Sequence, residues 1–418
     1  MLKKILLFYV LLCSSLYVFA QENTDYLLVP ELLVGFTTAS NEDFPDRNLQ
    51  TQAFFSFAWD HTKNPQEWAQ RFKSMRTGIS LGYTNFGNSE SLGSAISLMP
   101  FVAFNVFKSK RLKAHIGLGG SYFTKQFDME TNFFNRAVST DFTWSLRAFL
   151  HYTVAKQERV NYRLGLGITH HSNGHTRLPN NGFNSFLFSA SAEIKKWKKE
   201  NQKPDSIPPL RASKHHYIEV RKGIGQNVLN DGFPFNNKKE VYTISAEYGH
   251  VYNTVFKVGV GAFYRIYEHY YDYIRNNEFL VRDGQEFASF RENPWSNASN
   301  FGVYITGELL LNHIGIDLLI GVNLHKPAYQ IDWRLNEGFD FVPREIPDFF
   351  ELGEFNSKFE LKNAIATRLG LKYYLLGTNA YRKHNLYAGV FINANLGQAD
   401  FSELAIGYVY QFKRKNKG

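Results

Sequence analysis

The chain has 418 residues, 16% of them aromatic and 20% charged, with a net charge of +9 and a single cysteine, Cys13, which excludes any disulfide framework. Basic residues are scattered among strand and turn segments instead of gathered in one stretch, so nucleic acid is excluded as the natural partner and anionic lipid head groups fit better. Beyond the first twenty residues no stretch approaches the roughly 20 consecutive apolar residues of a spanning helix, and rings at this density suit the interfacial girdles of a membrane barrel.

The chain opens with Lys3 and Lys4, an apolar run from Ile5 to Phe19, and a small Ala20 before Gln21-Glu22. A basic start, a short apolar stretch and a small residue at the cut predict a cleavable signal peptide over 1–20. Cys13 lies inside it, and Leu12 is too large for a lipoprotein cleavage site, so the exported chain is expected to carry no thiol. Alternating apolar and polar residues then predict strands near 26–37, 50–60, 76–86, 94–107, 112–124, 139–153, 159–171 and 185–196. In one of them Leu112, Ala114, Ile116, Leu118 and Tyr122 share a face, against Lys113, His115, Gly117, Gly119 and Ser121 on the other. A polar segment over 197–214, with Pro204, Pro208 and Pro209, cannot be a strand and reads as a linker.

Eight further strands follow near 216–225, 239–250, 254–267, 299–311, 313–324, 360–375, 384–396 and 402–412. Short connections alternate with long polar ones at 125–138, 269–298 and 326–359, as when short periplasmic turns stand opposite long external loops. The halves resemble each other: the stretch 26–35 can be laid on 217–225, and Gly165 to Gly174 on Gly389 to Gln398. The expectation is an all-β, transmembrane antiparallel β-barrel protein of about 16 strands in two eight-stranded repeats, 21–196 and 215–418, located in the bacterial outer membrane. The repeats could close as tandem barrels or join in one larger barrel. The sequence leaves the oligomeric state open.

One segment carries chemistry, from Ile168 through His170, His171, Ser172, Asn173 and Gly174 to Pro179, Asn180, Gly182 and Asn184. Tyr162, Leu164, Leu166 and Ile168 form the apolar face of their strand, and His170 and Ser172 continue it. Asn184 heads the row Phe186, Phe188, Ala190 and Ala192 on the next strand, so all three polar groups emerge on the lipid side. Counted from a periplasmic N-terminus, the seventh strand ends at the external rim. A serine hydroxyl needs a neighbouring base to attack an ester, and His170 on the same face supplies one. Asn184 can accept from the other imidazole nitrogen and fix the tautomer, and the backbone amides of Asn173 and Gly174 are candidate oxyanion donors. The expected site is therefore catalytic Ser172, His170 and Asn184 with oxyanion residues Asn173 and Gly174.

The His-x-Ser-Asn motif with its Pro-Asn-x-Gly turn resembles that of the lipid A 3-O-deacylase (acyloxyacyl hydrolase) family of outer-membrane barrels. That resemblance covers 26–196 and implies an eight-stranded barrel removing an acyl chain from lipopolysaccharide. The motif is also similar to the active site of outer-membrane phospholipase A. The deacylases usually have an acid where Asn184 stands, whereas the phospholipase has an asparagine. An amide orients the imidazole without adding charge beside its cation, so a slower but working base is expected. No cofactor is expected for a deacylase; the phospholipase resemblance would imply calcium, for which the sequence offers no clear ligand set.

The substrate class is then lipopolysaccharide or phospholipid of the outer leaflet. The competing readings are a polar hairpin loop on a non-enzymatic channel or adhesin, and a metal site of His170, His171 and His175. Alternation sends His170 and His171 to opposite faces and so disfavours the metal. In the second repeat Ala394 and Leu396 replace His170 and Ser172, leaving it a structural or substrate-binding role. Gln398, Asp400 and Glu403 near its rim are read as solvated.

Overall fold

A computed structural model describes residues 25–72, 75–107, 109–195, 210, 212–230, 232, 235–337 and 359–413. The predicted signal peptide, 1–20, and most of the predicted linker lie outside these residues. The first eight strands are β1 (Asp25–Thr37), β2 (Gln50–Asp60), β3 (Arg76–Asn85), β4 (Ser94–Asn105), β5 (Leu112–Phe123), β6 (Phe142–Lys156), β7 (Val160–Ser172) and β8 (Phe183–Lys195). Every neighbouring pair is antiparallel and β1 pairs with β8, which closes the barrel.

The second set is β9 (Lys214–Asn227), β10 (Lys239–Tyr252), β11 (Phe256–Tyr267), β12 (Ser299–Leu311), β13 (Ile314–His325), β14 (Ile365–Tyr374), β15 (His384–Asn395) and β16 (Gln398–Phe412), closed by β16 against β9. There are thus two barrels and not one of sixteen strands, because each first strand finds its own last strand. Residues 360–364, expected to begin a strand, belong instead to a short helix, Phe359–Ala364. Four residues of apolar alternation at its start are too few to separate the two periods. The long connection after β11 carries the helix Glu268–Arg275, which buries Tyr270, Tyr273 and Ile274 on one face.

Period-two alternation builds each wall. Outward rows such as Leu32, Phe36, Leu81, Ile96, Leu150 and Leu166 in the first barrel, and Ile305, Leu318, Leu404 and Ile406 in the second, are apolar and exposed. Such rows are stable only against hydrocarbon, so both barrels span a membrane. Inward rows combine buried polar groups with apolar side chains such as Leu33, Phe54, Met99 and Phe149, and are packed, since eight strands leave an interior only wide enough for side chains. In the first lumen Arg147 holds Glu31 at 2.6 Å, Arg163 holds Glu193 at 2.7 Å, and Ser97, Ser121, Ser145 and His171 form a chain of hydrogen bonds of 2.6, 2.6 and 2.7 Å.

In the second lumen Lys257 meets Glu219 and Glu308, Lys372 meets Glu219, Glu308 and Asp317, and Arg221 meets Glu403 at 2.7 Å. Glu403 is therefore a buried lumen carboxylate and not a solvated rim group, because it lies on the inward row of β16. Asp400 is likewise buried, accepting from Tyr267 at 2.8 Å.

The barrels stand side by side with like ends together. At the rim of short turns Trp68, Ala69 and Met75 pack with Val255 and Leu311, Phe72 meets Phe256 edge to face at 5.4 Å, and Thr254 donates to Glu67 at 3.0 Å. At the rim of long loops, the segment between β7 and β8 leans on the second barrel.

Candidate active site

The site sits at the long-loop end of β7 and β8. Outward positions of β7 run Tyr162, Leu164, Leu166, Ile168, His170 and Ser172, while His171 points inward to Ser145 and packs against Phe86 and Phe123. His170 is the direct cross-strand partner of Asn184 on β8, and Ser172 that of Trp144 on β6. Directly opposed residues bring their side chains within reach, so the ladder itself delivers the contact. His170 Nδ1 and Asn184 Oδ1 are 2.6 Å apart. An amide oxygen only accepts, so Nδ1 carries the proton and Nε2 is the nitrogen left to act as base. Asn184 is buried, whereas His170 and Ser172 are half-buried and open to the outer face.

Ser172 Oγ accepts two hydrogen bonds, from Asn180 Nδ2 at 2.9 Å and from the Gly174 N–H at 3.3 Å. Among the described residues no hydrogen bond joins His170 to Ser172. With both acceptor positions taken, the hydroxyl proton remains the group that Ser172 can give to a base. Of the two expected backbone donors, Gly174 faces the hydroxyl. The Asn173 N–H donates instead to Asn180 Oδ1 at 2.9 Å, and so aims the Asn180 amide at Ser172.

The Asn173 side chain organises the loop. It donates to Arg177 O at 2.6 Å and Ser139 Oγ at 3.3 Å, and accepts from the Thr176 N–H at 3.2 Å. Gly182, at φ +81°, leaves space for the imidazole, because an added Cβ would lie 2.9 Å from His170 Cε1. Asn180 sits in the Pro-Asn-x-Gly turn, but its aim at Ser172 depends on a loop fold that alternation does not encode.

No group of three or more His, Cys, Asp or Glu side chains among the described residues is arranged to hold a metal ion. His170 and His171 occupy opposite faces. On β15 the outward position corresponding to His170 is Ala394, and Leu396 stands in the tight turn that follows.

No curated protein matches the chain. Among solved structures, the outer membrane enzyme PagL is 17% identical, covering 39% of this chain and 97% of its own, with a TM-score of 0.28. An outer membrane channel from Pseudomonas putida F1 is 9% identical over 94% of this chain and 97% of its own, with a TM-score of 0.18. OccAB1 of Acinetobacter baumannii is also 9% identical, over 94% and 97%, with a TM-score of 0.21. The family described as lipid A 3-O-deacylase (PagL) matches residues 49–193, so the N-terminal barrel, from β2 onward, carries the pattern of that family.

Proposed function

We propose that the N-terminal barrel is a serine esterase that hydrolyses an acyl ester of lipid A in the outer leaflet of the outer membrane. The observation that carries this reading is the 2.6 Å bond between His170 and Asn184, with Ser172 next to His170 on one lipid-facing row. Ser172 Oγ attacks the ester carbonyl as His170 Nε2 takes its proton, and the Nδ1–H bond to Asn184 holds the ring as it becomes a cation. The Gly174 N–H and Asn180 Nδ2, which donate to Ser172 Oγ in the resting site, pass to the carbonyl oxygen as it takes up negative charge, freeing the Ser172 lone pair that attacks.

Collapse breaks the ester bond, and His170 returns its proton to the departing sugar alcohol. A water deprotonated by His170 then attacks the acyl-serine, releasing the fatty acid and restoring the Ser172 hydroxyl. No step requires a cofactor. The packed lumens of both barrels argue against a channel.

The test is mass spectrometry of lipid A incubated with wild type and with Ser172→Ala, in the presence of a chelator. Wild type is expected to remove one hydroxyacyl chain at a rate at least about 10³-fold above the variant, unaffected by chelation. Equal inertness of the two proteins sinks the reading. Asn184 is the feature shared with outer-membrane phospholipase A, and calcium-dependent release of lysophospholipid in place of lipid A cleavage would transfer the assignment there.

A further inference from the structure

The second barrel has no nucleophile of its own, yet it reaches the surroundings of Ser172 at two points. Ser402 lies on the outward row of β16 with Leu404, Ile406 and Tyr408. A hydroxyl in a lipid-facing row is costly unless bonded, and its partners are on the other barrel. The Trp144 indole N–H donates to Ser402 Oγ at 3.0 Å, and Ser402 O–H donates to the Gly174 carbonyl at 3.2 Å. Gly174 in turn donates its N–H to Ser172 Oγ at 3.3 Å. Three hydrogen bonds therefore run from Trp144 through Ser402 and Gly174 to the nucleophile.

Gly174 adopts φ +66°, and a Cβ there would collide with Ser402 Oγ and stand 3.1 Å from Trp144 Cδ1. The backbone fits only as glycine, pressed against the second barrel. The other end of the loop is held as firmly. The Leu178 N–H donates to Asn236 Oδ1 at 2.9 Å and Asn236 Nδ2 donates to Leu178 O at 2.7 Å. Leu178 stands two residues before Asn180, the side chain that bonds Ser172. Between these anchors His175 adopts φ +65°.

We infer that the second barrel is a working part of the esterase: Ser402 and Asn236 are positioning residues that hold the 173–180 loop so that Gly174 N–H and Asn180 Nδ2 converge on Ser172. This rests on the esterase reading above. A loop fixed before the reaction keeps both donors beside the reacting carbon and shortens the step by which they pass from Ser172 Oγ to the carbonyl oxygen, so loss of either anchor lowers turnover while leaving substrate affinity nearly intact.

The experiment compares Ser402→Ala, Asn236→Ala and Ser402→Thr in the full chain, with a heat-shifted band on unboiled gels to establish that each is folded. Ser402→Ala and Asn236→Ala are each expected to lower kcat on lipid A about tenfold with KM within about twofold, and Ser402→Thr, which keeps the hydroxyl, to restore it. The Trp144 indole N–H resonance should move in Ser402→Ala and hold its place in Ser402→Thr. An active wild type with fully active alanine variants, or an unmoved Trp144 resonance, overturns this inference alone. An inert wild type overturns the esterase reading and this inference with it.

Discussion

His170 is set by two neighbours with different duties. Asn184 fixes which nitrogen holds the proton, and Gly182 fixes where the ring can lie. A Gly182→Ala change adds a methyl 2.9 Å from His170 Cε1 at a backbone angle of +81° that only glycine adopts cheaply. Shifting a base by about an ångström costs roughly 10²-fold in rate, so this variant is expected to lose that much kcat on lipid A while retaining its heat-shifted gel band. A wild-type rate would show that the ring has other room. The residues of this constellation were legible because each occupies an outward strand position, where alternation makes a polar group conspicuous. Asn180 was not, since it works from a loop whose path is decided by Asn173. Ser402 carried the same signature as Ser172, a hydroxyl in an apolar row, but its partners lie more than two hundred residues away in the chain.

All sixteen strands were legible, most to within three residues at each end, because a wall that separates lipid from a packed interior permits no slip of register. Helices in the connections were less so. Tyr270, Tyr273 and Ile274 carry helical spacing within Glu268–Arg275, but about two helical turns inside a polar loop give a weak pattern. The turn between β2 and β3 shows what such connections do. Its His61 is packed edge-on to Trp68 at 4.6 Å and bonds Thr77 Oγ1 at 2.8 Å. Burial lowers the His61 pKa from 6.5 to about 4, against a smaller opposing pull from Asp60. The folded turn thus favours the neutral ring: its stabilisation is complete above pH 6.5 and is lost as pH falls from there toward 4. Because Trp68 also packs on the second barrel, acidification should loosen the short-turn contact. Thermal unfolding followed between pH 7.5 and 4.5 is expected to show a drop in Tm that His61→Gln reduces, and parallel pH curves for the two proteins would refute it.

Across the whole molecule the two barrels share an architecture and differ in what fills them. The second lumen relies on a lattice of charges in which Glu219 serves Lys257, Lys372 and the Tyr387 hydroxyl together. Removing one member of a buried network strands its partners, so Glu219→Ala is expected to destabilise the second barrel by about 3–5 kcal/mol, read by urea unfolding in lipid vesicles. An unchanged midpoint would mean that water reaches these groups. That the chain closes as two rings and not one was not legible, since alternation is indifferent to which strand completes a circle.

Among the described residues, four hydrogen bonds around Asn236 and Ser402 join the rings at the upper rim. Two separate molecules diffusing in a bilayer would gain little from four hydrogen bonds. Joined in one polypeptide, each ring meets the other at a local concentration that separate copies would not reach, and a weak handshake becomes a permanent one. Fusion thus replaces the extensive interface that a partnership between independent chains would have had to evolve.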